Sequence, residues 1–314
     1  MAAYIVRRLL MLIPVLVGIS MLVFVTIRQL PGDPAIAILG PTAQPAEIEQ
    51  LRHDMRLDDP LPIQYASWAA NAVRGDFGTS PKLHGSVAGE IWDRLPVTVE
   101  LVVMATFLSI LIGIPSGVIS AVKQNSRVDL LARVINILAL SIPSFWLATL
   151  FLLLPAMWWG YAPPIGYVPI WESPSTNLEQ FYLPSIALAA ASAATIMRMT
   201  RSSVLEIMRT DYVRTARAKG LHERDVVWGH VMKNSMVPVL SIIGLQLAIL
   251  LGGQVVVEEI FQLPGVGRLL IGALANSDYL VVQAIVLYLA LSVVLVNLAV
   301  DLLYPMLEPR IKYT

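Results

Sequence analysis

Few side chains in this sequence are of the kind that carry out covalent chemistry. The four histidines, His53, His84, His222 and His230, are scattered without the spacing of a metal site, and the lack of cysteine excludes disulfides and thiolate ligands. No Gly-x-x-x-x-Gly-Lys-Ser/Thr loop is present to cradle a nucleotide, and no Gly-x-Ser-x-Gly elbow to present a nucleophile. What the residues offer is a recognition surface. The stretch from Asp211 to Pro238, DYVRTARAKGLHERDVVWGHVMKNSMVP, is too charged to enter a membrane yet lies between two long apolar runs. In it Tyr212, Ala216 and Gly220 recur every fourth residue, so on a helix they line one face, while Arg214, Arg217 and Lys219 point elsewhere. Gly220 is placed to end that helix, because glycine takes the left-handed conformation without a side-chain penalty. A second short helix is expected from about Glu223 to Lys233, with Glu223 and Asp225 near its amino end and Lys233 near its carboxyl end, as the helix dipole favours. Pro238 is expected where the chain turns into the next apolar run. The chemistry of such a helix, glycine turn and helix is non-covalent: a protruding shape inserts into a groove on another protein. A plainer reading stands beside it, a basic loop placed on one side of a membrane by its charge alone.

Membrane helices must position this stretch. With 56% apolar and 14% charged residues and a positive mean hydropathy, the chain is not an ordinary soluble domain, and its zero net charge says nothing about partners. Uncharged runs extend from Leu9 to Ile27, Leu101 to Val122, Val134 to Met157, Leu183 to Met197, Met236 to Val257 and Tyr279 to Val300. Crossing the hydrocarbon core takes roughly 20 apolar residues, a length that all but the fourth run meet directly. The fourth gains length if Phe181 and Tyr182 act as interfacial aromatics and Arg198 snorkels. An all-α polytopic fold with six spanning helices is therefore expected. The first run follows Arg7 and Arg8 but exceeds a signal-peptide core and leads into LPGDP rather than a cleavage site, so it is expected to be retained.

The basic residues orient the spans. Arg7 and Arg8, then Lys123, Arg127 and Arg133, then the eight from Arg198 to Lys233, then Arg310 and Lys312, fall between alternate spans. Each would cost about 2.5 to 3.5 kcal/mol at the bilayer centre, so both termini are expected in the cytoplasm. The expected organisation is residues 1–30 as amino-terminal segment and first span, 31–97 as an external loop with short helices, 98–304 as a five-helix core that includes loop 198–236, and 305–314 as a cytoplasmic tail. Within the external loop, Pro45 to Leu57 has helical spacing at Ile48, Leu51 and Met55. Tyr65, Trp68 and Phe77 give the following segment a composition suited to lying on a membrane face. A covering lid and a docking surface for an external protein both remain open for this loop.

Prolines and glycines interrupt several spans: Pro14, Gly18, Gly113, Pro115, Gly117, Pro143, Pro155, Gly244, Gly252 and Gly253. They permit kinks or close helix approach. Gly252 and Gly253 beside Gln254 are candidates for a gate, because their span directly follows the docking stretch. Gln246, Gln254, Gln283 and Asn297 need partners in apolar surroundings, through helix packing or water in a pathway. Glu258 and Glu259 are expected at the external mouth, as a solvated rim or as an attractor for a peptide amino terminus.

The docking stretch resembles the cytoplasmic loop of ABC importer permeases, in which a glycine at a fixed distance before Leu-Pro or Val-Pro marks the coupling helix. YVRTARAKGL and HVMKNSMVPV resemble the peptide-importer branch, as do LPGDP, GDFGTS, and a match running from IVRRLL near the start to PRIKY at the end. The wider superfamily opens the motif with Glu-Ala-Ala. Here Arg214, Thr215 and Ala216 occupy those positions, and only the alanine agrees, as fits the peptide branch. His222 stands where that branch often has a small capping residue. The resemblance implies a type I importer permease fold in the bacterial plasma (inner) membrane, with a cytoplasmic coupling helix and a long external loop after the first helix. It also implies a second homologous permease, two ATPase subunits that bind ATP and magnesium, an external substrate-binding protein, and a di- or oligopeptide substrate. Nickel, glutathione or another small solute is the alternative cargo. The chain itself is expected to be no enzyme, to hold no cofactor or metal, and to bind no nucleic acid. Coupling is assigned to Tyr212, Arg214, Ala216, Arg217, Lys219, Gly220 and Leu221, and a pathway or gate to Gln246, Gly252, Gly253, Gln254, Glu258 and Glu259. A stand-alone secondary transporter is the other class, weakened by the lack of an inverted repeat and of a mid-span ionisable residue.

Overall fold

All six apolar runs lie on helices, as they must where a backbone in hydrocarbon has only its own carbonyls to bond. The computed structural model describes residues 2–29, 34–40, 43–54, 56–80, 82–83 and 85–307. Most of LPGDP, Met55, His84, Arg310 and Lys312 lie outside them. The elements are α1 (Ala2–Arg28), α2 (Pro34–Leu39), α3 (Pro45–Asp54), α4 (Leu61–Val73), a short antiparallel pair β1 (Thr79–Ser80) and β2 (Gly85–Ser86), α5 (Val87–Val122), α6 (Arg127–Ser141), α7 (Ser144–Trp159) and α8 (Pro174–Met208). They continue with α9 (Asp211–Ala218), α10 (Glu223–Asp225), a π-helical segment (Val226–Val231), α11 (Met232–Ile260), α12 (Val266–Ala275) and α13 (Tyr279–Leu307).

Two expectations about the spans need correction. Among the described residues, four helical stretches, Val87–Val122, Pro174–Met208, Glu223–Ile260 and Tyr279–Val300, are long and apolar enough to cross a membrane unbroken, and α1 contributes the shorter apolar stretch Leu10–Thr26. The third run is not one helix: α6 and α7 meet at 97°. The cause is local. Ile142, ahead of Pro143, is extended at φ −98° and ψ 120°, because the proline ring disfavours the helical region for the residue before it. The fourth run, in turn, is not lengthened by interfacial aromatics. Phe181 is buried edge-on to Tyr167, and α8 simply begins at Pro174. The preceding loop is clasped to α8 by Gln180, whose Oε1 accepts from the Val168 amide at 3.0 Å, and by Asn177, which donates to the Val168 carbonyl at 2.9 Å. Tyr167 donates to Glu100 at 3.0 Å, and burial together with that carboxylate pushes its phenol up to about 12.

The contacts divide the chain into two units, residues 1–98 with 264–294, and residues 99–263 with 295–314. In the first, half-buried Tyr65 and Trp68 of α4 pack on α1. Their rings pack on Phe24 of α1 at 5.6 and 5.7 Å, and the Tyr65 hydroxyl meets that of Ser20 at 2.9 Å. GDFGTS forms a built corner. Phe77 packs against a cluster of Val87, Ile91, Val266, Leu269, Val281 and Ile285, while the Ser80 hydroxyl donates to the Asp278 carboxylate just ahead of α13.

In the second unit, glycines set helix spacing. A Cβ on Gly117 would lie 2.6 Å from Thr200 Cβ, and one on Gly113 2.8 Å from the Ala193 carbonyl, so α5 lies directly on α8 through a small-residue notch. Gly244 of α11 similarly leaves no room for a side chain against Val300 of α13.

Candidate docking site

The seating of α9 follows from its amphipathic sequence. Val213 and Ala216, three residues apart, are buried in a cluster with Val118 and Ala121 of α5, Val204 of α8, and Val226 and Val231 of the π-helical segment. The expected face is thereby revised: Ala216 is a core residue that seats the helix. Tyr212 lies on the flank, 42% exposed, and its hydroxyl accepts from the Asn234 amide at 2.8 Å. Arg214, Arg217, Lys219, Gly220 and Leu221 are exposed, and Arg214 pairs with Asp211 at 3.2 Å. Gly220 has φ +82° and ends the helix in the left-handed conformation expected of it. Across this turn Arg217 donates through Nε and Nη2 to both carboxylate oxygens of Glu223, which raises the hold of the guanidinium on its proton.

The separate second helix is not found. After α10, which His222 starts through its backbone carbonyl alone, the chain widens into the π-helical segment and runs directly into α11. Glu223–Ile260 is one continuous helix of 38 residues, and Pro238 lies inside it rather than at a turn. Bonds from residue i to i+5 bring residues five apart toward one side, and Val226 and Val231 are both fully buried. Between them Trp228 turns outward, 62% exposed. Sequence reasoning passed over this tryptophan. Its signal was a large aromatic bracketed by valines within a charged loop.

A buried ion cluster fixes the element below. Asp129, fully buried at the start of α6, accepts from Arg201 Nε at 2.9 Å and Nη2 at 3.1 Å, from Ser120 Oγ at 2.5 Å and from the Asn125 amide at 3.0 Å. Arg133 approaches it at 3.5 Å. The cluster ties the start of α6 to α8 through Asp129, Arg133 and Arg201. Neither Asp129 nor Ser120 was singled out from the sequence.

The pathway candidates are not brought together on one surface. Gln246, Gln254 and Glu258 fall on the buried side of α11, whereas Gly252 and Gly253 are exposed, with nothing near an added Cβ. Gln254 is fully buried, and neither atom of its amide has a hydrogen-bond partner among the described residues. Glu259 is half-buried, its carbonyl accepting from Gln262.

Comparison with known proteins identifies the frame in which this element sits. Residues 113–313 match the family described as binding-protein-dependent transport system inner membrane component, and residues 1–102 match its amino-terminal membrane component. The chain is 40% identical over 337 residues to the dipeptide transport system permease protein DppB of Alkalihalophilus pseudofirmus, with both chains fully covered. It is 41% identical over 313 residues to a putative peptide transport system permease protein of Brucella abortus, and 40% identical over 313 residues to the glutathione transport system permease protein GsiC of Escherichia coli, again with full coverage. Among solved structures, the fold is similar to a chain of the MetNI methionine ABC transporter in an inward-facing conformation, with a TM-score of 0.58 and 19% identity, over 73% of this chain and 99% of that one. The chain belongs to the family of binding-protein-dependent inner-membrane transport components: it is a multi-pass permease subunit of an ABC importer.

Proposed function

We propose that this permease forms half of a translocation pathway for di- or oligopeptides, completed by a second homologous permease, and that residues 211–238 seat separate ATPase subunits in the cytoplasm. The observation that carries the docking assignment is the construction of the turn. The apolar side of α9 is buried, its opposite side and the Gly220 turn are exposed, and Arg217 and Glu223 brace the two arms. Such a knob suits insertion into a groove. ATP and magnesium belong to the partner subunits, and this chain acts as a transport subunit without catalysis of its own. ATP binding draws two docking elements together, and because the element is continuous with α11, the motion enters a membrane helix directly. An external binding protein then releases cargo into the opened side.

The peptide reading rests on relatives named for dipeptide and peptide transport. A second reading, glutathione, is favoured by an equally similar relative named for it. Gentle purification of the tagged chain from its host, with mass spectrometry of what accompanies it, tests the assembly. A second permease and ATPases are expected, and the isolated chain transporting in liposomes without ATP would overturn the proposal. Competition between labelled dipeptide and glutathione for ATP-dependent uptake then decides the cargo.

A further inference from the structure

We propose that an arginine-lined pocket between α6 and α8 holds the headgroup of an anionic phospholipid drawn from the surrounding bilayer. The pocket measures about 740 Å³, and Arg133, Arg198, Arg201 and Arg209 all contribute to its wall. Arg201 and Arg133 share the single charge of Asp129, while Arg198 and Arg209 have no ion-pair partner among the described residues. Glu206 is the only carboxylate in the lining. Four guanidiniums thus face two carboxylates, and two positive charges stay uncompensated. Guanidinium groups match the paired oxygens of a phosphodiester, which makes a phosphate the natural counter-ion here.

The apolar part of the surroundings favours lipid over a free anion. Ile137 lines the same pocket and is 61% exposed, so the pocket opens onto the apolar outer face that α6 continues with Val134 and Leu138. A second, almost wholly apolar cavity of about 530 Å³ lies between α5, α6 and α8, and shares Asn136 and Met197 with the first. A ligand filling both needs an anionic head and hydrocarbon chains. Basic pockets between membrane helices on the positively charged side select such lipids.

The test uses the whole complex purified in mild detergent. Native mass spectrometry is expected to find phosphatidylglycerol retained. After delipidation, added phosphatidylglycerol should raise the melting temperature at concentrations where phosphatidylcholine and inorganic phosphate do not. Arg198→Gln combined with Arg209→Gln should weaken phosphatidylglycerol binding at least tenfold, while leaving the melting temperature in phosphatidylcholine at the parental value. Equal response to both lipids, an equal response to phosphate alone, or undiminished binding by the double variant would each overturn the proposal. So would photocross-linking from Ile137→p-benzoylphenylalanine to the second permease instead of to lipid, because a protein surface would then be the occupant.

Discussion

Arg217 reaches across the Gly220 turn and forks onto Glu223, with Nε to Oε2 at 3.1 Å and Nη2 to Oε1 at 2.7 Å. The two side chains are 37% and 49% exposed, so the pair is worth about 0.2 to 1 kcal/mol and fixes shape more than it adds stability. Arg217→Glu would set two carboxylates against each other across the turn. Co-purification of the ATPase should fall, and the exchanged pair Arg217→Glu with Glu223→Arg should recover most of it. Failure of the exchange to rescue would mean that Arg217 touches the partner directly.

Gly220→Val forces a branched residue into a left-handed backbone at φ +82°, at about 1 to 2 kcal/mol. The site has open space for a Cβ, so the effect is conformational and the protein should still insert. Substrate-stimulated ATPase activity in proteoliposomes should drop well below that of Gly220→Ala. Normal stimulation in the valine variant would remove the turn from the coupling route.

How much of this could be read from the sequence differs from one element to the next. Gly220 was legible because a left-handed helix end has a one-residue signature. The buried side of α9 was not, since an eight-residue helix with Tyr212, Val213 and Ala216 offers two overlapping faces, and only its neighbours choose between them. Prolines were ambiguous for a similar reason. Pro14, Pro155, Pro184 and Pro238 lie within helices, whereas ahead of Pro143 the backbone turns extended at Ile142 and the chain bends by 97°, and a proline in an apolar run permits either outcome. The Asp129 and Arg201 pair joins residues 72 positions apart, so composition gave no sign of it.

Asp129→Asn leaves Arg201 partly buried without its carboxylate. Removing one member of a buried pair costs about 3 to 5 kcal/mol, so a lower melting temperature and reduced yield are expected. Adding Arg201→Gln should cost little more, because the interaction is already lost. Scanning fluorimetry of the single and double variants checks this, and additive losses would count against a shared cluster.

The glycines separate into two groups. Gly117→Val meets Thr200 of α8 and should destabilise by about 1 to 3 kcal/mol through overpacking. Gly252→Ala and Gly253→Ala meet nothing within 4 Å among the described residues, and the helix propensity of alanine should leave the melting temperature equal or slightly raised. Lost transport in either alanine variant at normal stability would assign that face of α11 to assembly or gating.

Gln254→Leu removes a buried amide whose polar atoms are both unbonded. An unmet buried group costs about 1 to 3 kcal/mol, so the variant should melt at a higher temperature. If uptake falls in the same variant, the amide is used in another state of the transport cycle. A lower melting temperature would show that the amide finds a partner in the assembled protein.

If the Gly220 turn seats an ATPase as proposed, the uninterrupted helix from Glu223 to Ile260 acts as a lever arm fixed to that seat. At 1.5 Å per residue its 38 residues span about 55 Å, so a tilt of about 10° at the seated end carries the far end through about 10 Å. A modest rotation of an ATPase would then reach Glu258 as a displacement large enough to pull neighbouring helices apart, with no hinge needed along the way.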